Sequence, residues 1–154
     1  MTLTRRTLIL LAAGGSAALM LGALAFQHLG DMPPCKLCIW QRYPHVAAIA
    51  IGAVALALPW AGLAWLGALA ALTTAGIAGY HTGVERGWWE GPSSCSSAGA
   101  SGLSSDELFD QIMSAPLVRC DEVPWEMLGL SMASWNMVAS LALAALWIMA
   151  ARRG

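Results

Sequence analysis

The sequence predicts an all-α membrane protein, a four-transmembrane-helix bundle with a short interfacial helix in its second exterior loop. Three observations point there. The chain is 58% hydrophobic and only 11% charged, against about 25% charged in a typical soluble domain. Four stretches carry no formal charge: 7–30, 43–58, 61–80 and 127–151. The charges that remain are sorted by sign. Arg5 and Arg6 precede the first stretch and Arg152 and Arg153 follow the last, while every acidic residue falls in 31–42 or 81–126. At 154 residues the chain is read as a single membrane domain, 1–154.

Spans are expected at about 7–29, 38–58, 61–80 and 128–151, with exterior loops at 30–37 and 81–127. The first begins with Arg5 and Arg6 and resembles a secretory signal, but it is longer than the about 7–15 apolar residues of a signal core, so it is read as a retained span. The second stretch is too short alone to cross about 30 Å of hydrocarbon at about 1.5 Å per residue. Its helix must therefore start near Cys38, which sets Arg42 inside the apolar zone near one face. The connection at Pro59 is so short that spans two and three form an antiparallel pair. Lys/Arg excess marks the cytoplasmic side, so both termini are expected there and both cysteine-bearing loops outside.

Pro33 and Pro34 end the first helix and prepare the second, since proline is tolerated in a first helical turn. In the second loop, a Ser/Gly-rich run around 93–105 leads to Ser104 and Glu107, spaced as a capping box. The helix after it carries Leu108, Phe109, Ile112 and Met113, an apolar face for the membrane surface or the bundle, and Pro116 follows. Pro124 to Leu128 reads as an interfacial lead into span four. Trp40, Trp88, Trp89, Trp125 and Trp135 read as an aromatic belt. Gly14, Gly15, Gly52, Gly67, Gly76 and Gly79 read as close-packing positions between helices.

Chemistry concentrates in Cys35, Cys38, Cys95 and Cys120. Two residues between Cys35 and Cys38 put both sulfurs near one face of a helix start. A helix N-terminus and neighbouring cations favour the thiolate, the reactive form, and Lys36 and Arg42 supply cations. Arg42 is four residues after Cys38, on the same helical stripe, and an ionisable residue within a span is a functional hypothesis. Its plain alternative is a side chain that lifts its charge to the interface. A two-residue-spaced pair is a poor structural staple, because closing so short a loop removes little chain entropy. A metal site is disfavoured: Cys95 and Cys120 lie far apart in sequence, and an oxidising exterior favours disulfides. One local dithiol plus one distant dithiol suits a relay by thiol–disulfide exchange. A lipid-dissolved quinone is the natural acceptor, with Arg42 stabilising charge that develops on its oxygen. His28, His45 and His81 could each donate a hydrogen bond or proton; for His45 the reading is an interfacial histidine without special role.

These residues resemble the DsbB family of bacterial inner-membrane enzymes. The likeness rests on Phe26, Gln27 and His28; on Pro34 through Ile39 with Gln41 and Arg42; on Tyr80, His81 and Thr82; on Cys95 and Cys120; and on Leu128, Gly129, Leu130 and Trp135. The resemblance implies an enzyme that reoxidises a periplasmic DsbA-like thiol oxidase and passes electrons to ubiquinone or menaquinone. It implies that Cys95 forms the mixed disulfide with the partner, Cys120 exchanges with Cys35, and Cys38 contacts the quinone. Arg42 and His81 would hold the ring. Membrane lipid is an expected partner and nucleic acid is not. The charge of Lys36, between the active cysteines, would raise the pair's oxidising power. DsbA-type donors are known to sit at about −120 mV, beyond the reach of an ordinary protein disulfide near or below about −300 mV, so the acceptor must supply the driving force. Two other readings compete. One is a membrane thiol oxidoreductase of the vitamin K epoxide reductase type, in which the loop cysteines come first. The other is a non-enzymatic scaffold whose cysteines brace loops.

Overall fold

A computed structural model describes residues 3–92, 95, 104–114 and 118–153. Its elements are α1 (Arg5–His28), α2 (Lys36–Ala57), α3 (Ala61–Glu85), α4 (Ser105–Ser114), β1 (Glu126–Met127), β2 (Leu130–Ser131) and α5 (Met132–Ala151). The four long helices pack in a ring, α1 on α2, α2 on α3, α3 on α5 and α5 back on α1. Among the described residues, α1, α3 and α5 are long and apolar enough to cross a membrane.

Local chemistry explains the helix starts. Thr4 caps α1, its hydroxyl accepting from the Thr7 amide, and Ser131 caps α5 by accepting from the Ser134 amide. Cys35 caps α2 with its sulfur, which accepts from the Cys38 amide at 3.2 Å. Such side chains satisfy amides that the first helical turn leaves unpaired. Arg5 donates to the Trp60 carbonyl at 3.0 Å. That bond puts the start of α1 and the α2–α3 connection at one end of the bundle.

The core is built on Trp147, which is fully buried among Leu8, Ala12, Ala64 and Ala144. Two expected close-packing glycines make room. A Cβ on Gly67 would sit 2.5 Å from the Trp147 indole, and one on Gly52 2.4 Å from the Ala13 Cβ. Gly15 faces Leu143 and Gly79 approaches Met137. Gly14 and Gly76 do not fit the packing reading: a Cβ at either would meet nothing within 4 Å.

Other expectations need correction. Helix α3 runs on through Glu85, five residues past the expected end of the span at Tyr80, because His81, Thr82, Gly83 and Val84 are buried against the bundle. Span four starts later than 128. Residues 126–131 form a two-residue antiparallel strand pair, Glu126 opposite Ser131 and Met127 opposite Leu130, so the fold is not purely helical. Leu128 (φ 54°) and Gly129 (φ 75°) make its turn; both centres are left-handed, as a tight hairpin requires. Helix α4 starts directly after Ser104. The run 93–103 apart from Cys95, the side chains of Glu107, Leu108 and Ile112, and Pro116 lie outside the described residues. Phe109 and Met113, 63% and 71% exposed, leave α4 with an apolar surface unburied by the bundle.

Candidate active site

All four cysteines converge. Cys35, Cys95 and Cys120 form one buried cluster with Leu37 and Val84, and Cys38 packs against it. Cys95 and Cys120 are joined as a disulfide, while Cys35 and Cys38 are free thiols. The Cys35 thiol donates to the Cys38 sulfur at 2.8 Å. That hydrogen bond, and then burial, push the Cys35 thiol well above the ordinary range. Within the pair Cys35 is the donor and the Cys38 sulfur the acceptor.

His81 joins the two cysteine pairs. Its Nε2 lies 3.6 Å from the Cys35 sulfur and 3.2 Å from the Cys120 carbonyl. The Gln41 amide donates to His81 Nδ1 at 3.0 Å, so Nε2 carries the proton and donates to Cys120. Gln41 is held in turn. Its second amide proton goes to the Leu37 carbonyl at 3.2 Å, its side-chain oxygen accepts from Asn136 at 2.7 Å, and its backbone carbonyl accepts from Thr74 at 3.1 Å. Pro44 lies inside α2 and lacks the amide that would bond the preceding turn. The Thr74 hydroxyl supplies a donor in that disturbed stretch.

Beside the cluster lies a cavity of about 700 Å³. Cys35, Cys38, Arg42, His45 and His81 line it on one side, and Leu19, Gly22 and Phe26 of α1 on the other. Arg42 donates to the Gln27 side-chain oxygen at 2.7 Å, which holds the guanidinium at the rim one turn below Cys38. Trp125 and Trp135 also line this cavity. Trp125 packs on Phe26 at 5.4 Å between ring centres, and the Trp135 indole donates to the Met127 carbonyl. Trp40, Trp88 and Trp89 remain exposed.

His45 is not an interfacial histidine. It is 3% exposed, and its Nε2 donates to the Asn136 side-chain oxygen at 3.0 Å. His28 is exposed at the end of α1. Lys36 is exposed, with its ammonium 5.7 Å from the Trp40 ring centre. Near Cys120, Arg119 forks onto Asp121 at 2.6 and 3.0 Å. That ion pair holds the Asp121 carboxyl below the usual carboxylate range. The sulfurs of Cys35 and Cys38 and a ring nitrogen of His81 lie within 4.8 Å of one another, so the structure sets this histidine beside the thiol pair.

Sequence reasoning also missed Glu85 and Asn136. Glu85 accepts from the Ser131 hydroxyl and lies 3.8 Å from His81 Nε2. A signal for each was present: Glu85 follows His81 by one helical turn, and Asn136 is a lone amide in an apolar span.

A membrane protein that holds a buried disulfide against a free, closely spaced thiol pair is equipped for thiol–disulfide exchange. Comparison with known proteins narrows the class. The family model "Disulfide bond formation protein DsbB" matches residues 5–150. The chain is 31% identical to Disulfide bond formation protein B of Azoarcus sp. (strain BH72), covering 97% of this chain and 95% of the relative. The same-named protein of Stutzerimonas stutzeri (strain A1501) is 32% identical over 92% and 93% of the two chains. That of Methylococcus capsulatus (strain ATCC 33009 / NCIMB 11132 / Bath) is 34% identical over 91% and 90%. The chain belongs to the DsbB family of membrane disulfide bond formation proteins, and it is a disulfide-forming oxidoreductase.

Proposed function

We propose that the chain reoxidises a DsbA-like periplasmic dithiol and delivers the electrons to a quinone in the bacterial inner membrane. The observation that carries this reading is the convergence of all four cysteines beside a cavity rimmed by Cys38 and Arg42. In this reading α2 also crosses the membrane, making four spans, both termini are cytoplasmic, and the cysteines face the periplasm. The Arg5–Trp60 bond supports it, because it gathers the basic N-terminus and the short connection at the end away from the cysteines.

The cavity fits a quinone. Its volume lies in the ordinary range for small-ligand sites, about 300–1,000 Å³. Its walls are mainly apolar with a few convergent polar groups, and His45 Nδ1, a buried nitrogen without a partner among the described residues, belongs to one of its lining residues. A bound quinone supplies a two-electron, two-proton acceptor. Arg42 would bind and orient it from the rim, and His81 would neighbour it while fixing the sulfurs.

The exchange steps balance as follows. A thiolate of the donor attacks Cys95, forming a mixed disulfide and releasing Cys120 as a thiolate. Cys120 attacks Cys35 of the oxidised inner pair, and Cys38 leaves as the thiolate. The donor's second thiol then attacks its own mixed-disulfide sulfur and departs as a disulfide, freeing Cys95. Cys95 attacks Cys120, restoring the outer disulfide and freeing Cys35. The inner pair now holds two electrons, which leave from Cys38 as the Cys35–Cys38 bond re-forms. Purified protein tests this directly. Quinone absorbance should fall on addition of a reduced DsbA-like protein, and a protein whose cysteines only brace loops would give no turnover.

A further inference from the structure

Glu85 has no role in the scheme above, yet its position is unusual. Its side chain is 3% exposed. Among the described residues no Lys or Arg lies in salt-bridge range of it. Its polar neighbours are Ser131, whose hydroxyl donates to Oε2, and His81, whose Nε2 lies 3.8 Å from Oε1. The Arg86 guanidinium favours its charged form only from beyond salt-bridge range, and such partial compensation leaves a buried carboxyl costly.

Two cavities meet at this residue. An outer pocket of about 320 Å³ is lined by Glu85, Arg86, Val123, Glu126, Gly129 and Ser131. Only Glu85 and Val123 of these also line the large cavity beside Cys38. Of the two, only Glu85 can carry a proton.

We propose that Glu85 passes protons between the outer pocket and the thiol-lined cavity during oxidation of the Cys35–Cys38 pair. The inference rests on the quinone reading. Oxidation of the pair forms the Cys35–Cys38 bond, breaks two S–H bonds and sends two electrons to the acceptor, which must take up two protons from the cavity. Glu85 releases a proton toward the cavity and takes one back from the outer pocket. Two such cycles supply the acceptor, and the two protons shed by the thiols leave to the exterior, so no net proton is gained or lost there. The competing account makes Glu85 an anchor for Ser131 at the start of α5. A glutamine would serve that anchor, because its carbonyl oxygen accepts the same bond. It could not carry the proton.

The test uses the full chain and the variants Glu85→Gln and Glu85→Asp. Quinone bleaching is followed after mixing with reduced donor dithiol, and capture of donor at Cys95 is followed separately. Infrared difference spectra are also recorded on quinone-free protein as the Cys35–Cys38 pair is oxidised. General acid–base groups contribute about 10²–10⁴-fold, so Glu85→Gln should bleach quinone at least about 100-fold more slowly. Glu85→Asp should retain part of the rate, and donor capture should be unchanged in both. A carboxyl band should respond to oxidation of the pair in the parent and vanish in Glu85→Gln. A Gln variant that bleaches quinone at the parental rate overturns the proposal. So does a slow variant when the parent shows no redox-linked carboxyl band, because Glu85 then only positions its neighbours. If the parent itself fails to bleach quinone, the acceptor assignment falls, and the infrared result alone decides on Glu85: a band upholds proton exchange and silence overturns it.

Discussion

Replacing Gly83 with alanine should loosen the approach to the outer disulfide without weakening the bundle. A Cβ at residue 83 would sit 2.0 Å from Cζ2 and 2.2 Å from Cε2 of Trp89, so the indole must leave. Trp89 is stacked on Tyr80, with planes 8° apart and ring centres 6.0 Å apart, and its indole nitrogen donates to the Tyr80 carbonyl at 2.9 Å. The stack contributes about 0.5–1.5 kcal/mol and the hydrogen bond about 0.5–1.5 kcal/mol net. Losing both costs roughly 2 kcal/mol of local order, a factor of about 30 at 1.4 kcal/mol per decade. Alanine meanwhile favours the helix by about 0.5–1 kcal/mol over glycine, so the melting of α3 should hardly change. The assay is reduction of Cys95–Cys120 by a fixed concentration of small thiol, read by alkylation and mass. The bond should be reduced up to about 30-fold faster in Gly83→Ala, because Trp89, six residues before buried Cys95 in the chain, is held by Tyr80. Reduction at the parental rate would refute the clamp.

Three further outcomes are expected. Cys38→Ser should abolish quinone reduction while Cys95 still captures donor; retained turnover would remove Cys38 from its assigned role. Lys36→Val should lower the reduction potential of the Cys35–Cys38 pair by about 30 mV, a tenfold change in equilibrium, measured by redox titration with alkylation; an unchanged potential would show that an ammonium set over Trp40 acts too far from the sulfurs. The Arg119–Asp121 pair should make the Cys120 turn acid-sensitive. Its carboxyl is depressed in the folded state, so the contribution is present above the ordinary carboxylate range near about pH 4 and is lost as pH falls through the lower folded value. Amide exchange at Cys120 should rise in that acid window, and Arg119→Gln should move the window up toward the ordinary value.

Much of this architecture was readable from the chain because hydrocarbon imposes simple demands. Uncharged runs of spanning length, basic ends and a proline connection are enough to outline the helices. The cysteine spacing and the stripe from Cys38 to Arg42 pointed to the edge of the large cavity. What stayed hidden depended on neighbours distant in sequence. The five residues after Tyr80 look polar enough for a loop, yet His81 and Glu85 are helical because α5, the strand pair and the cysteine cluster cover them. Leu128 gives no hint of a left-handed turn; Gly129 beside it was the only local cue. Gly67 and Gly14 look alike in sequence, and only the position of Trp147 separates them. That Trp125 and Trp135 line the cavity depends on Phe26 and the strand pair, neither of them local. His45 finds its partner 91 residues away in Asn136, which no local pattern could disclose.

The amide lattice of Gln41, Asn136 and Thr74 has a mechanical consequence. It stitches three helices together one layer beneath the sulfurs, so none can slide along its neighbours without stranding a donor in an oily interior. Any redox rearrangement must then be accommodated above that layer, at the cysteines themselves. The bundle works as a fixed anvil beneath the sulfurs.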